Sequence, residues 1–387
     1  MSTPTTGDMI SDDLLTEILV RLPVKSLLRC KSVCKPWLSL ISNPNFTKSQ
    51  LKHSQSKPGA DQILIVKAED DYSRSLLHLD SPQTRTPLGH PFSRGDFSFD
   101  PQFDIVASCN GLVCVAVANG PINNNPCIYL WNPATKQSKL IPPHSLRGEI
   151  MSVALGFGFD PVADDYKVVR IVSFLSADPR AAEVYSANTN VWQKVKPDLS
   201  EGGKHYYNVP GDFPEEDEFD VSVNGFLCCL GYYGMMAFNL NTEVFTIGLK
   251  LPLTKCLDAC FGDFNGTIAV ITSQKSELNY TFSLWTLDDE ACLHGGKVEA
   301  SWTLMLSIDV DYPYPRVYGC FNSGDFVLYT QDDNCLLYNP HTKEARNAPV
   351  SISIHGRIIK YNESLVSVTG SKQVDWNAHE DNLGDQH

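Results

Sequence analysis

The sequence predicts a multidomain protein in which a small N-terminal α-helical module precedes a much larger all-β domain. Two patterns support this prediction. Apolar residues recur at helical spacing within about the first 50 positions, and from about residue 60 they alternate with period two between turns rich in Gly, Asn and Pro. The length of 387 residues suffices for one large domain and a small module. Apolar residues make up 42% and charged residues 20% of the chain, which is ordinary for a globular protein.

Three short amphipathic helices are expected in the N-terminal module. Ser11 can cap the first helix, and Asp12 and Asp13 place negative charge at its positive end. The apolar residues of this helix fall on one face: Leu14, Leu15, Ile18, Leu19 and Leu22. Two further apolar stripes follow, formed by Val24, Leu27 and Leu28 and by Cys34, Trp37, Leu38 and Ile41. Because about forty residues cannot bury all of these side chains, part of the apolar surface should meet the rest of the chain or a partner.

The segment from Ile10 to Trp37 resembles the plant F-box almost residue for residue, and Asn43-Pro-Asn-Phe46 resembles the stretch that usually trails it. This resemblance implies that the module, assigned to residues 8–50, docks on a Skp-type adaptor that is tied to a cullin. By the same resemblance, the adaptor-binding positions are Leu14, Leu15, Ile18, Leu19, Leu22, Pro23, Leu27, Val33 and Trp37. The family usually opens with Leu-Pro where this chain has Ile10-Ser11. Since Ser is itself a good cap, this departure is expected to weaken adaptor binding at most.

A repeated unit runs through the β domain: an aromatic residue, a short polar turn, and then Thr or an acidic residue. Its copies begin at Trp131, Tyr185, Phe238, Trp285 and Tyr338, at intervals of 54, 53, 47 and 53 residues. A sixth, weaker copy lies around Leu79 to Thr84. Each unit is typical of a β-hairpin whose aromatic residue anchors the strand before the turn. In two copies a second aromatic residue is expected across the hairpin, pairing Tyr185 with Trp192 and Phe238 with Phe245.

A period of about 50 residues corresponds to one four-stranded blade of a kelch-type β-propeller, and residues 61–370 provide about six irregular blades. This region also resembles the F-box-associated domain of plant F-box proteins, including the F-box/kelch-repeat and S-locus F-box groups. The resemblance rests on Gly156-Phe-Gly-Phe-Asp-Pro161, Asp165-Tyr-Lys-Val-Val169 and Ser364-Leu-Val-Ser-Val368. Residues 51–60 are expected to form a linker and residues 371–387 a polar tail.

The net charge of −14 argues against nucleic-acid binding, because neutralising phosphates requires a surplus of Lys and Arg. The one clear basic cluster, formed by Lys25, Arg29, Lys31 and Lys35, is expected to be a solvated helix face. The N-terminus lacks the features of a secretory signal, and no apolar stretch approaches the roughly 20 residues of a membrane helix. We therefore expect no membrane partner, a cytoplasmic or nuclear location, and twelve cysteines that stay reduced.

No group of residues predicts catalysis, a metal site or a cofactor. The ten histidines are scattered, and neither the Cys30/Cys34 pair nor the Cys256/Cys260 pair recurs as a zinc ribbon would require. The sequence contains no Walker loop and no G-x-S-x-G elbow. A site assembled from distant propeller loops stays an open alternative at this point.

The most conspicuous charged segment runs from Asp212 to Asp220, where Glu215, Glu216, Asp217 and Glu218 are candidate substrate-binding residues. The simpler interpretation of this segment is a solvated loop. The F-box resemblance implies a non-catalytic substrate-recognition subunit of an SCF (Skp, cullin, F-box) E3 ubiquitin ligase, which bridges the adaptor to a protein target for ubiquitination and degradation. The alternatives are a ligase-independent protein-binding scaffold, favoured by the Ile10-Ser11 start, and a propeller enzyme with an appended helical module.

Overall fold

The computed structural model describes residues 11–56 and most of residues 62–374. Within the second range the described positions exclude 71–72, 82–83, 88, 93–95, 98–100, 119–124, 175–180, 196–218, 220, 232–233, 253–257, 276–279, 296–298, 311–315, 321–324, 330–333 and 352–357.

Four α-helices, rather than the three expected, form the N-terminal module: α1 (Asp12–Val20), α2 (Val24–Cys30), α3 (Lys35–Ile41) and α4 (Pro44–Gln55). Ser11 caps α1 as expected, because its Oγ accepts a hydrogen bond from the Leu14 amide at 3.3 Å. The additional helix is α4. Asn43 caps it by accepting from the Asn45 amide at 2.8 Å, and Pro44 stands in its first turn, where a missing donor costs nothing. The predicted linker at 51–60 is therefore helical as far as Gln55.

The described strands form six sheets, five of four strands and one of five, and the sequence predicts about six blades. Sheet 1 contains β1 (Gln62–Asp70), β2 (Ser73–Ser81), β3 (Thr84–Pro87) and β24 (Ile358–Tyr361). Sheet 2 contains β4 (Phe103–Cys109), β5 (Leu112–Val117), β6 (Cys127–Asn132), β7 (Gln137–Leu140) and β25 (Lys372–Gln373). Sheet 3 contains β8 (Ile150–Asp160), β9 (Asp165–Phe174), β10 (Ala181–Ser186) and β11 (Val191–Val195).

The remaining three sheets follow the same antiparallel order. Sheet 4 contains β12 (Val221–Val223), β13 (Phe226–Gly231), β14 (Gly234–Asn239) and β15 (Val244–Leu249). Sheet 5 contains β16 (Asp258–Phe264), β17 (Thr267–Lys275), β18 (Tyr280–Leu287) and β19 (Trp302–Val310), with the 3-10 helix Glu290–His294 before β19. Sheet 6 contains β20 (Arg316–Cys320), β21 (Phe326–Tyr329), β22 (Asn334–Asn339) and β23 (Glu344–Ser351).

The sheets surround a central channel of about 750 Å³, which confirms the prediction of a helical module followed by a β-propeller. One strand of each sheet lines or borders the channel, and contacts run from β24 through β4, β8, β12 and β16 to β20. Apolar clusters fill the space between successive sheets: Leu130 and Tyr185 pack between sheets 2 and 3, and Phe238 packs between sheets 3 and 4. The apolar alternation along the strands therefore supplies one core per pair of sheets.

Both ends of the β domain contribute to ring closure. Strand β24 pairs with β1, with Lys360 opposite Ile63, so that sheet 1 joins the start of the domain to its end. Strand β25 then pairs with β7, with Lys372 opposite Ser138. These pairings cover strand edges that would otherwise expose unpaired backbone groups. The predicted polar tail at 371–387 thus contributes its first residues to sheet 2.

The repeated aromatic unit forms hairpins in the structure. Four copies connect β6 to β7, β10 to β11, β14 to β15 and β22 to β23. The ring centroids of Tyr185 and Trp192 lie 5.6 Å apart and those of Phe238 and Phe245 4.5 Å apart, which confirms both cross-strand pairs. The copy at Trp285 differs, because residues 288–301 and their 3-10 helix separate its two strands. No helix within the described ranges is long and apolar enough to span a bilayer.

Candidate functional site

The connections between neighbouring strands alternate between the two ends of each sheet, so the propeller has two different faces. We call the first the turn face, because it carries the tight turns Asn110–Gly111, Asn224–Gly225 and Asn265–Gly266 and the polar turns 133–136, 161–164, 187–190, 240–243 and 340–343. We call the opposite one the loop face, because the strand ends there are joined by longer stretches of sequence, as at 118–126 and 141–149. The three Asn-Gly turns meet at one mouth of the central channel.

Positive φ angles keep the connections on the turn face short. In the three Asn-Gly turns both residues have φ between 49° and 84°, a conformation that suits tight hairpins. In the polar turns the last residue is left-handed, as at Lys136 and Lys343, with φ of 56° and 60°. The Asn339 side chain closes one of these turns by accepting from the backbone amides of His341 and Thr342, at 2.9 and 3.0 Å.

The helical module packs on the turn face through an apolar contact and two polar ones. Leu365, in the segment that follows β24, belongs to the same buried cluster as Leu19, Leu27 and Phe46 of the helices. At the rim of this contact the Lys48 ammonium lies 2.6 Å from an Asp164 carboxylate oxygen. A second polar contact joins Gln55 of α4 to Asn110, whose Oδ1 accepts from Nε2 at 3.0 Å.

Hydrogen bonds fix the segment that presents Leu365. The Asn132 amide group donates to the carbonyl oxygens of Ser364 and Val366, at 3.0 and 2.7 Å. The Tyr361 hydroxyl accepts from the Ala134 backbone amide at 3.2 Å. Because these partners belong to sheet 2, the segment that closes the ring also carries the contact with the module.

Helix α1 has one apolar face turned inward and one turned outward. Leu19 is 2% exposed and lies in the core of the module, with Leu15 half-buried beside it. Leu14 and Ile18 are 49% and 45% exposed, one helical turn apart. A two-turn helix with large aliphatic side chains on its solvent face is typical of a surface that binds another protein. The outward face of α1 is therefore the candidate functional site of the module.

The nine predicted adaptor-binding residues divide into three groups by exposure. Leu14, Ile18, Pro23 and Val33 are exposed, and Leu15, Leu22 and Trp37 are half-buried. Leu19 and Leu27 are buried, with 0% exposure at Leu27, because they lie on the helix faces that pack against Leu365. In this structure neither of these two side chains presents surface to a partner, and their role as adaptor-binding residues stays a prediction.

Sequence reasoning did not single out one exposed apolar residue of the module. Leu38 in α3 is 46% exposed, although its helical spacing placed it in the same apolar stripe as the half-buried Trp37 and the buried Ile41. Trp37 packs partly on the core of the module. Its removal would therefore disturb folding as well as any docking, which makes Leu14 and Ile18 cleaner probes of the surface.

A buried polar network fixes two connections of the loop face. The Arg170 guanidinium donates to Glu183 Oε1 at 2.6 Å, and both side chains are fully buried. Arg170 also donates to Asn125 at 2.7 Å, and Glu183 Oε2 accepts from the backbone amides of Ser145 and Leu146, at 3.0 and 3.1 Å. Charge-assisted hydrogen bonds of this kind hold backbone in place. The network thus ties connections 118–126 and 141–149 to sheet 3.

His144 belongs to the same corner of the loop face. Burial, and next the Arg170 charge, lower the pKa of His144 to about 4. Its Nε2 lies 2.9 Å from the Pro126 carbonyl oxygen, so the neutral ring donates that hydrogen bond. Its Nδ1 is buried without a hydrogen-bond partner. The imidazole is therefore neutral at physiological pH and holds connection 141–149 against 118–126.

Two of the described thiols, Cys109 and Cys335, have the environment of structural cysteines. Ten cysteines are free thiols in the described part of the chain. Burial raises the pKa of Cys109 to about 12 and that of Cys335 to about 12, so neither forms a nucleophilic thiolate near neutral pH. Among the residues that the structure describes, no three His, Cys, Asp or Glu side chains could hold a metal ion together. The candidate acidic residues Glu215, Glu216, Asp217 and Glu218 lie outside the described residues.

Two family models match this architecture. The model described as "F-box domain" matches residues 8–49, and the one described as "F-box associated beta propeller domain" matches residues 62–368. The F-box/kelch-repeat protein At3g23880 of Arabidopsis thaliana is 29% identical over 382 residues, which cover 91% of this chain and 94% of that protein.

Other relatives share a shorter stretch. Arabidopsis F-box protein At5g07610 is 34% identical over 62% of this chain and F-box protein CPR1 is 32% identical over 48%, but the matches span only 56% and 44% of those proteins. The solved structure of the Dos1 propeller superimposes with a TM-score of 0.30 at 10% identity, over 72% of this chain and 65% of that chain. The matched domains and the full-length relative together show that the chain belongs to the F-box-associated β-propeller family and carries an N-terminal F-box.

Proposed function

We propose that this chain is the substrate-recognition subunit of an SCF-type ubiquitin ligase, acting in the cytoplasm, the nucleus or both. The observation that carries the proposal is the outward face of α1, where Leu14 and Ile18 stay about half exposed inside an F-box. Burying such aliphatic side chains against a Skp-type adaptor would remove apolar surface from water, which is the main driving force for association. The adaptor would connect the chain to a cullin.

The protein target would bind on the loop face. The module packs on the turn face, where it meets Leu365, Asp164 and Asn110. A target on the opposite face would leave the adaptor surface free, so both partners could bind at once. The loop face also has the longer and more varied connections, and specificity usually resides in such loops on a rigid scaffold.

The chain would contribute proximity to the reaction and no reactive group of its own. Holding a target on one face and the ligase at the other raises the effective concentration of a target lysine near the ubiquitin-carrying enzyme. The apolar and polar contacts between module and propeller favour this role, because they limit rotation of one part against the other.

Affinity capture tests the proposal by comparing the wild-type chain with variants in which a single surface has been changed. The wild-type chain and the double variant Leu14→Asp/Ile18→Asp are used to capture proteins from a plant extract, with partners identified by mass spectrometry. The double variant should lose the Skp-type adaptor and the cullin while retaining proteins bound by the propeller. Val191→Asp/Val244→Asp is the matched control, since both valines are exposed, at 52% and 40%, on the propeller. Undiminished capture of the adaptor by the Leu14/Ile18 variant would refute the proposed docking surface.

A further inference from the structure

A wide groove of about 1420 Å³ lies between the helical module and the turn face of the propeller. Six cationic side chains line it: Lys25, Arg29, Lys31, Lys48, Lys52 and Lys136. Its two lining carboxylates are Asp164 and Glu363. We call this region the basic groove. A local excess of positive charge is unexpected in a chain whose net charge is −14, and it requires a physical reason.

Most of the cations on the helices have no counter-charge in the described part of the chain. Lys48 pairs with Asp164 at 2.6 Å. The side chains of Lys25, Arg29, Lys31 and Lys52 make no ion pair or hydrogen bond with any described residue. Lys31 is half-buried, and burial lowers the pKa of its ammonium group. Like charges held together around a concave surface repel one another, so a bound anion would relieve that cost.

The chain itself supplies an acidic segment at the edge of this groove. Strand β25 places Gln373 among the residues that line the groove, and Gln373 Nε2 donates to the Thr135 carbonyl oxygen at 3.3 Å. The next residue, Val374, donates its amide to the carbonyl of Lys136 at 2.9 Å. Beyond it, residues 375–387 contain Asp375, Glu380, Asp381 and Asp385 and no Lys or Arg. We call residues 375–387 the acidic tail.

We propose that the acidic tail docks in the basic groove of its own chain and fastens the helical module to the propeller. Three observations carry this inference: the charges are complementary, the cations Lys25, Arg29, Lys31 and Lys52 lack partners among the described residues, and the tail begins on the wall of the groove. Thirteen residues reach at most about 45 Å when extended, which is ample for a segment that starts at the site. Tethering keeps the local concentration of the tail at about the millimolar level, so weak ion pairs suffice.

This docking is independent of the proposed ligase function, since it concerns contacts within one chain. It would add ion pairs between the tail, which continues from sheet 2, and the cations of α2 and α4. The apolar contact at Leu365 would then be one of two attachments of the module. The second attachment would be sensitive to salt, because groove and tail meet solvent and the Debye length is about 8 Å at physiological ionic strength.

Zero-length carbodiimide cross-linking of the full chain tests the proposal, because it joins only carboxylates and amines that lie in contact. In the wild type, peptides from the acidic tail should be joined to Lys25, Lys31 or Lys52. Mixing isotopically labelled with unlabelled chain should give cross-links within single chains only. The variant Lys25→Glu/Arg29→Glu/Lys52→Glu should lower the tail cross-links at Lys31 at least about fivefold, and 0.5 M salt should have a similar effect.

The matched control is Lys194→Glu/Lys250→Glu/Lys343→Glu, which reverses the same number of exposed charges outside the groove. Its tail cross-links should equal those of the wild type. Truncation after Val374 should also make Lys25, Lys31 and Lys52 at least about twofold more reactive towards acetylation, since they would lose bound carboxylates. Tail cross-links that are absent, that join two different chains, or that are equally strong in the groove variant would overturn the proposal.

Discussion

The turn face and the loop face of the propeller are built from the same strands but behave differently. On the turn face, left-handed Asn-Gly pairs and side-chain caps make the connections short, and the helical module packs there around Leu365. On the loop face the connections are longer, and a buried ion pair between Arg170 and Glu183 fixes two of them. The turn face therefore carries the attached module, and the described contacts of the module leave the loop face uncovered.

Removing the C-terminal segment should have the largest effect, because it contains Leu365 and the two strands that contribute to ring closure. A chain ending at Ser351 lacks β24 and β25, which leaves one edge of β1 and one edge of β7 unpaired. We expect loss of the cooperative unfolding transition in urea followed by circular dichroism. A chain ending at Val374 retains both strands and should still unfold in one cooperative step. If the fragment 1–351 folds and unfolds cooperatively, the folding of the propeller does not depend on ring closure by the C-terminal strands.

Substituting a buried leucine of the module should lower its stability far more than substituting an exposed one. Leu27→Ala should lower the free energy of unfolding by about 2–5 kcal/mol, since the buried side chain leaves a cavity beside Leu365. Leu14→Ala should change it by less than about 0.5 kcal/mol, because the side chain is half exposed. Chemical denaturation measures both values.

For the same two variants, Leu14→Ala and Leu27→Ala, the affinity for the adaptor should change in the opposite order. Leu14→Ala should weaken binding of a purified Skp-type adaptor by about 5- to 30-fold, whereas folded Leu27→Ala protein should bind almost normally. Equal stability losses in the two variants would contradict the division of α1 and α2 into inward and outward faces.

Mild acid should loosen the loop face before the turn face. The pKa of His144 is about 4 in the folded protein and about 6.5 in an unfolded chain, so below pH 6.5 the unfolded state binds a proton that the folded state does not. The His144 contribution to stability is therefore constant above about pH 7 and falls by up to about 1.4 kcal/mol per pH unit between 6.5 and 4.

His144→Gln is the control, because an amide can donate to the Pro126 carbonyl without titrating in this range. The pH profile of the free energy of unfolding should be flatter for this variant than for the wild type between pH 6.5 and 4. Hydrogen exchange of the described residues in connection 141–149 should rise in the same window. Parallel profiles for the two proteins would show that His144 does not couple the loop face to pH.

The acidic segment should show the smallest effect on folding. Changing Glu215, Glu216, Asp217 and Glu218 to serine should alter stability by less than about 0.5 kcal/mol and should leave adaptor binding unchanged. If the segment recruits a basic target to the loop face, association of that target should slow, and the difference should shrink with added salt. Equal association rates at low salt would leave the segment as solvated surface.

The sequence by itself determined the local elements of this protein, because short-range chemistry encodes them. Ser11 caps α1, the aromatic units form hairpins, and the Asn-Gly pairs form turns, each through contacts within a few residues. The F-box resemblance likewise rests on a contiguous stretch, which the family match at residues 8–49 confirms. The helix α4 was predictable in principle from Asn43 and Pro44, a cap followed by a first-turn proline.

Tertiary structure alone decided which apolar residues face a partner and which face the propeller. Leu14, Leu19 and Leu27 have the same side chain and similar helical contexts, yet Leu19 and Leu27 are buried in a cluster that includes Leu365, more than 300 residues away, while Leu14 is exposed. From the sequence alone, the basic cluster on α2 is likewise predicted to be a solvated helix face. The tertiary structure brings the turn of sheet 2 and the start of the acidic tail close to it. Helical periodicity predicts which side of a helix is apolar or charged. It does not predict what that side packs against, because the packing partner is brought there by strands that are distant in sequence.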